Sequence, residues 1–308
     1  MQPNILPSQA FHHKRRLGFA VRAISVLVVG LFALCFVSGG RPAIGAALEE
    51  RSLSMNDGTT RDYGVYSPAN LKSGSPVILV LHGGGGPFTS EQKIQNMARL
   101  TGFNALADRE GFVVVYPMGI TPHWDDGRPE MPRANDFDYI SQLMLKVVRD
   151  YHADEKRVYV TGCSNGAFFA NAIGLKLANQ VSAIASVCGP IPSVHQSVNP
   201  SRPISALLMD GTNDIHVPFN GGGINNGKSG QTLSHDDSVK RWLAIDGGIA
   251  RVISNSDVPP NKITLYKTAS GRLVGSVIVV GGQHGWLNST NFNTTEFIWK
   301  FFQSQEKP

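Results

Sequence analysis

Residues 159–169 read YVTGCSNGAFF: a β-rich run stops at a serine between two glycines, and a small-residue helical pattern follows. Gly162 and Gly166 stand two positions either side of Ser164. A sharp strand-to-helix turn calls for that spacing. A serine at its tip takes a strained backbone that lifts its Oγ clear of the sheet, and its neighbours must be small because the arriving strand and departing helix nearly touch. The chain has 33 glycines, so the pentapeptide carries weight only in context. It needs a strand before it, a helix after it, and an acid and a histidine later in the chain.

The surrounding pattern supplies that context. Residues 51–68 form two alternating runs around a Gly-containing turn, which predicts an N-terminal β-hairpin. Short apolar runs then alternate with helical periods. The runs PVILVL, FVVVYP, RVYVTG, VSAIASVCG, ISALLMDG and GSVIVVGG read as strands. The stretch EQKIQNMARLTGFNALADREG reads as one helix stopped by glycine, and DFDYISQLMLKVVRDYH as an amphipathic helix with an acidic start. NGAFFANAIGLKLANQ, DDSVKRWLAIDG and TTEFIWKFF complete the helices. Strand–helix alternation predicts an α/β class with a mostly parallel central sheet and helices on both faces. Strands that are near-continuous Val, Ile and Leu fit a sheet covered on both sides.

Composition narrows the class. Residues 1–47 contain Lys14, Arg15, Arg16, Arg22 and Arg41 and no acid, and the rest of the 308-residue chain holds 23 basic against 23 acidic residues. A neutral body without a basic cluster gives no support to nucleic-acid binding. The basic start HHKRR, the apolar run from Ala23 to Val37 and the small residues of SGGRPAIGAA have the order of a secretory signal peptide over residues 1–47, with cleavage expected near Ala46 or Ala47 and an uncleaved anchor as the alternative. Residues 48–308 are then expected as one catalytic domain, secreted or periplasmic, with no stable membrane insertion once the leader is removed. The two cysteines outside the leader, Cys163 and Cys188, both sit at apolar strand ends; export permits a disulfide between them, and two buried thiols are the preferred reading.

A serine hydroxyl needs a base, and the base needs an orienting partner. Parallel sheets offer such groups at strand C-terminal ends. After ISALLM comes DGTNDIHVPFN, with Asp210 at the strand end and Asp214 deeper in the loop, better placed to reach a histidine. His284, in VIVVGGQHGW, follows the final strand and is flanked by glycine. His123, His152, His195 and His235 lie in polar loop or helix-start settings and read as surface residues; His216 reads as packing its own loop. LHGGGGP follows the strand two before the serine strand, and its glycines let N–H groups turn inward. Gly84 and Asn165 are the candidate oxyanion donors, with Gly85 as a further one. Read as a phosphate loop, the glycine run lacks the G-K-[ST] ending. The S-x-x-K of Ser90–Lys93 is short and sits in the wrong fold pattern for that chemistry.

These residues resemble a family. The N-terminal hairpin, LHGGGG, HWDDGR, RVYVTGCSNGAFF, DGTNDIHVPFNGG and GGQHGW are similar, in order and spacing over residues 50–303, to the polyhydroxybutyrate depolymerase-like and feruloyl esterase-like secreted esterases of the α/β-hydrolase superfamily. The resemblance implies the α/β-hydrolase fold, Ser164 as nucleophile, Asp214 as acid, His284 as base, and a substrate cleft near Trp124 and Trp286. It implies a small-molecule or oligomeric ester as substrate, such as short hydroxyalkanoate, feruloyl or acetyl esters, with no cofactor and no metal. The sequence departs from the family at HGWLN, where H-x-W-P-G is frequent, and in the Gly- and Asn-rich stretch NGGGINNGKSGQTLSHDD. The competing class is a catalytically silent hydrolase fold used for binding, against which the complete Ser, Asp and His set argues.

Overall fold

The computed structural model describes residues 47–85, 89–259 and 261–307. The expected leader, apart from Ala47, lies outside the described residues. The chain opens with β1 (Ala47–Ser54) and β2 (Thr60–Ser67), an antiparallel hairpin. It continues through β3 (Val77–Leu81), α1 (Ser90–Thr101), α2 (Phe103–Glu110), β4 (Val113–Pro117), α3 (Asp136–Asp150), β5 (Val158–Cys163) and α4 (Asn165–Lys176). Next come β6 (Ala183–Val187), β7 (Ser205–Gly211), the two-residue strands β8 (Gly222–Gly223) and β9 (Gln231–Thr232), and α5 (His235–Ile245). The chain closes with β10 (Ala250–Val258), β11 (Asn261–Thr268), β12 (Leu273–Val279) and α6 (Thr294–Phe302).

One sheet holds ten of these strands in the order β1-β2-β4-β3-β5-β6-β7-β12-β11-β10. From β4 to β12 every neighbour is parallel, and antiparallel pairs extend both flanks. The chain runs from β3 outward to β4 and then returns to place β5 on the other side of β3. The order therefore reverses between β3 and β5, and open parallel sheets bind ligands at the carboxyl ends of such strands. Every residue of β3 is fully buried. Alternate residues serve opposite faces, as the pleat dictates. Leu79, Leu81, Val160 and Leu208 pack on one face with Ile140 of α3 and Phe169 of α4, whereas Ile78, Val80, Tyr159 and Leu207 pack on the other with Ile94 of α1 and Phe301 of α6.

Two local expectations give way to tertiary structure. The single helix read across residues 91–111 is two helices, because Gly102 takes φ 68°, closes α1 and starts α2. That left-handed conformation costs glycine little. The β10–β11 hairpin has no counterpart in the apolar runs above. β10 exposes residues on both faces, so it lacks both the continuous and the alternating apolar signature.

α4 is buried along its length except for Lys176, and a helix apolar all round belongs inside. Its close seat explains the flanking glycines. A Cβ at Gly162 would lie 2.6 Å from the Gly166 carbonyl group, and one at Gly166 would lie 2.5 Å from the Leu81 carbonyl oxygen and 2.6 Å from that of His82. Both obstacles are backbone and cannot rotate away. Overpacking of this kind costs about 1–3 kcal/mol and sometimes more. Gly166→Ala is expected to lower the unfolding free energy by at least that much, read as a lower urea midpoint; a midpoint equal to wild type contradicts the close approach.

Candidate active site

Ser164 forms the N-cap of α4 at φ 58°, ψ −121°, a positive φ that a residue with a side chain rarely adopts. Its N–H donates to the Val187 carbonyl at 3.0 Å and its carbonyl accepts from Ala167 and Phe168. The backbone is thus held on both sides, and Oγ projects from the carboxyl edge of the sheet. There Ser164 Oγ meets His284 Nε2 at 2.9 Å, and His284 Nδ1 meets Asp214 Oδ2 at 2.6 Å. An ionised carboxylate only accepts, so Nδ1 carries the proton and Nε2 is free to accept from the serine hydroxyl.

The loops that bring these groups together are tied to one another. Thr212 N–H donates to the Val279 carbonyl, Asn213 N–H to that of Gly282, and Gly281 N–H to Thr212 Oγ1. These bonds join the segment after β7 to the segment after β12. Asp214 Oδ1 accepts from the N–H groups of His216 and Val217, each at 2.8 Å. Burial opposes its charge, but His284 and these two donors hold its carboxyl below the usual aspartate range. Burial likewise opposes protonation of His284, yet its bond to Asp214 carries the imidazole above the ordinary histidine value.

Asp210 does not reach this site. It turns inward, where its Oδ2 lies 2.6 Å from His235 Nδ1, and His235 Nε2 lies 2.7 Å from Ser276 Oγ. All three residues are buried. Instead of closing a strand-end turn, Asp210 joins β7 to α5 and β12. His235 is therefore no surface residue, and neither is His195, buried with Nε2 on the Asp126 carbonyl at 2.5 Å. His152 is exposed, as its context indicates.

A cleft of about 280 Å³ opens over Ser164 and His284. Gly84, Gly85 and Asn165 line it on the side of β3 and α4. Phe168, Val217 and Ile224 form a small apolar cluster along its wall. Asn225 and Ser229, from the Gly- and Asn-rich stretch, add polar groups, as do His123 and His216. His123 was not evident as a cleft residue. It is half-buried, and burial followed by Lys93 and Arg128 lowers its pKa, leaving a neutral imidazole at the cleft wall. Its local signal, HWDD, resembles any polar loop; only its position above Gly84 in space marks it.

Neither tryptophan lines the cleft. Trp124 is fully buried, stacked between His82 and Phe169 at ring separations of 4.6 and 5.1 Å, with Nε1 donating to the His82 carbonyl. Trp286 packs edge-on to Phe103 and donates to Thr295 Oγ1 at 3.0 Å. Large indoles beside strand ends fill core space and satisfy one N–H there. Trp124 does act on the site through its backbone: its N–H donates to Asn165 Oδ1 at 2.6 Å, while Asn165 Nδ2 donates to Asp126 Oδ2 at 3.0 Å. Asp126 is paired in turn with the buried Arg128 at 2.6 Å. His82 has its pKa pushed down to about 3 by burial, and it serves as a neutral acceptor for Gly119 N–H. Cys163 and Cys188 are free thiols, both buried. Cys188 Sγ, an Asp214 oxygen and a His284 ring nitrogen lie within 4.8 Å of one another. Among the described residues no helix is long and apolar enough to cross a membrane.

No family model matches the chain. It is 34% identical over 212 residues, 65% of its length, to a bifunctional acetylxylan esterase/xylanase XynS20E of Neocallimastix patriciarum, and spans 30% of that protein. It is 27% identical over 174 residues, 54% of its length, to feruloyl esterase B of Piromyces equi, of which it spans 32%. The chain thus covers under a third of either relative. Among solved structures, an acetyl xylan esterase from Aspergillus awamori superposes with a TM-score of 0.57 at 15% identity, over 83% of this chain and 99% of that one. With the strand order and the elbow at Ser164, the structural likeness shows that the chain has the α/β-hydrolase fold, and its sequence is similar over part of its length to acetylxylan and feruloyl esterases.

Proposed function

We propose that the protein is a serine carboxylic-ester hydrolase. The observation that carries this reading is the unbroken chain from Asp214 through His284 to Ser164, ending at a cleft. In this reading Ser164 Oγ attacks the ester carbonyl as His284 Nε2 takes its proton. Asp214 holds the imidazole in the needed tautomer and stabilises the imidazolium. The N–H groups of Gly84 and Asn165 receive the oxyanion. His284 returns the proton to the leaving alcohol, and water repeats the sequence on the acyl-enzyme.

The substrate class follows from the cleft and its relatives. A space of about 280 Å³ with one short apolar wall suits a small or flat acyl group, and Asn225, Ser229 and His123 offer hydrogen bonds to a hydroxylated remainder. Acetyl, 3-hydroxybutyryl and feruloyl esters all meet that description, and the names of the relatives favour acetyl and feruloyl esters. The leader pattern supports a secreted or periplasmic enzyme acting on such esters outside the cytoplasm. Initial rates on p-nitrophenyl acetate and butyrate, then on acetylated sugars, feruloyl esters and hydroxybutyrate oligomers, test the class.

Removing the nucleophile gives the sharpest result. Ser164→Ala is expected to lower kcat by about 10⁴-fold or more and to abolish labelling by a fluorophosphonate. Substantial turnover in that variant overturns the reading. The two aspartates separate by readout. Asp214→Asn is expected to remove activity with the fold intact. Asp210→Asn leaves a buried histidine badly partnered and is expected to cost about 1–3 kcal/mol in urea unfolding. A well-folded, inactive Asp210→Asn reverses the assignment.

The pH dependence tests the base. Only neutral His284 accepts a proton, so kcat/KM rises as pH climbs through its pKa. Because Asp214 stabilises the protonated ring, that midpoint is expected above ~6.5, the unperturbed histidine value. His216→Ala should keep the limb. Full activity at pH 4, measured on p-nitrophenyl acetate, excludes His284 as base.

A further inference from the structure

Cys163 ends β5 immediately before Ser164, and Cys188 follows β6 immediately beside His284. The parallel register pairs Cys163 with Val187, so Cys188 sits one step further along the neighbouring strand. Its backbone takes φ 50°, and its N–H donates to the Met209 carbonyl at 2.8 Å. A left-handed conformation at a residue with a side chain carries strain. Here it goes with an Sγ–Sγ separation of 2.9 Å to Cys163. Strand alternation alone would send adjacent side chains to opposite faces. The two sulfurs are 25 positions apart in sequence and bracket Ser164, α4 and β6.

The nearby groups make the pair consequential. Cys188 Sγ lies within 4.8 Å of donor atoms on both Asp214 and His284. Burial pushes its thiol well above the ordinary cysteine range, with Cys163 adding to the effect, so it stays protonated at neutral pH. Cys163 is the less deeply buried residue of the two, at 7% against 1%, which makes it the candidate for first attack.

We propose that Cys163 and Cys188 form a redox modification site, in which exchange with a small disulfide such as oxidised glutathione converts the two thiols into a disulfide joining β5 to β6 directly beneath Ser164. In the first step Cys163, as thiolate, attacks one sulfur of the reagent; a mixed disulfide forms and one glutathione thiolate leaves and is protonated. In the second, Cys188 displaces the remaining glutathione as its proton is lost to the leaving thiolate. Two protein S–H bonds are lost, one S–S bond forms, and the reagent is reduced to two thiols. The cross-link closes a loop around the nucleophile helix, which restricts the unfolded chain. It also removes the Cys188 proton from the neighbourhood of His284. Its link to ester hydrolysis rests on the proposed function; the bond itself does not.

The test starts from full-length protein, denatured and reduced, then refolded either in a mixture of reduced and oxidised glutathione or in excess dithiothreitol. Each sample is denatured with N-ethylmaleimide and mapped by peptide mass. In the glutathione sample a linked peptide containing Cys163 and Cys188 is expected, about 2 Da lighter than its two parts, with no maleimide on either. The dithiothreitol sample should carry maleimide on both. The oxidised form should also unfold at a higher urea concentration, a difference absent in the double variant Cys163→Ser/Cys188→Ser. Maleimide on both residues at every glutathione ratio, in protein of native circular dichroism, overturns the proposal. Linkage of either residue to Cys35, the cysteine of the expected leader, or equal urea midpoints for the two forms, also overturns it. A linked peptide in protein that hydrolyses no ester leaves this site standing and removes only the proposed function.

Discussion

The site depends on how closely α4 approaches the ends of β3 and β5. At Gly166 the helix touches the Leu81 and His82 carbonyls, and at Gly162 the strand touches the helix's first turn. No side chain separates these backbones, so the strand turns into the helix within one residue. That residue is Ser164, and its strained conformation persists because the surrounding backbone fixes it. The same approach sets Asn165 beside Gly84 at the reversal of strand order. The candidate nucleophile and candidate oxyanion donors thus arrive together by chain geometry before any side-chain chemistry is considered.

Position alone leaves Ser164 a weak nucleophile, and the rest of the site is concerned with orientation. The segments at the ends of β7 and β12 share three hydrogen bonds, so Asp214 and His284 are carried on linked backbone. Beneath α4, Asn165 is pinned by Trp124 and Asp126, and Asp126 by Arg128. Each such bond adds only about 0.5–1.5 kcal/mol when made, but a buried partner left unpaired costs about 1–3 kcal/mol. The network therefore penalises departures from one arrangement more than it stabilises the fold.

The parts of this arrangement legible in the sequence were those with local causes. The elbow was visible because close backbone approach excludes every side chain. Asp214 and His284 were visible because parallel strands deliver residues to one edge in a known order. The β10–β11 hairpin was not, since β10 is wetted on both faces and reads as loop. Trp124 and Trp286 were assigned to the cleft by the resemblance alone, and both indoles pack into the core instead. His195 and His235 looked like surface residues because their partners lie 69 and 25 positions away, beyond the reach of any local pattern. His123 was missed for the same reason, its place at the cleft being set by a fold contact.

The array of Asp210, His235 and Ser276 repeats the composition and connectivity of the cleft array within the interior. Both run from a carboxylate through an imidazole to a hydroxyl. The outer one has an outlet, because Ser164 faces space where an electrophile and water can arrive. The inner one ends at Ser276, buried within the sheet, where no substrate reaches the hydroxyl. A search for this protein's chemistry by the mutual distances of three residue types would return both arrays with equal merit. Access to the terminal hydroxyl is what separates them, so the route to the serine distinguishes the proposed site as much as the serine's partners do.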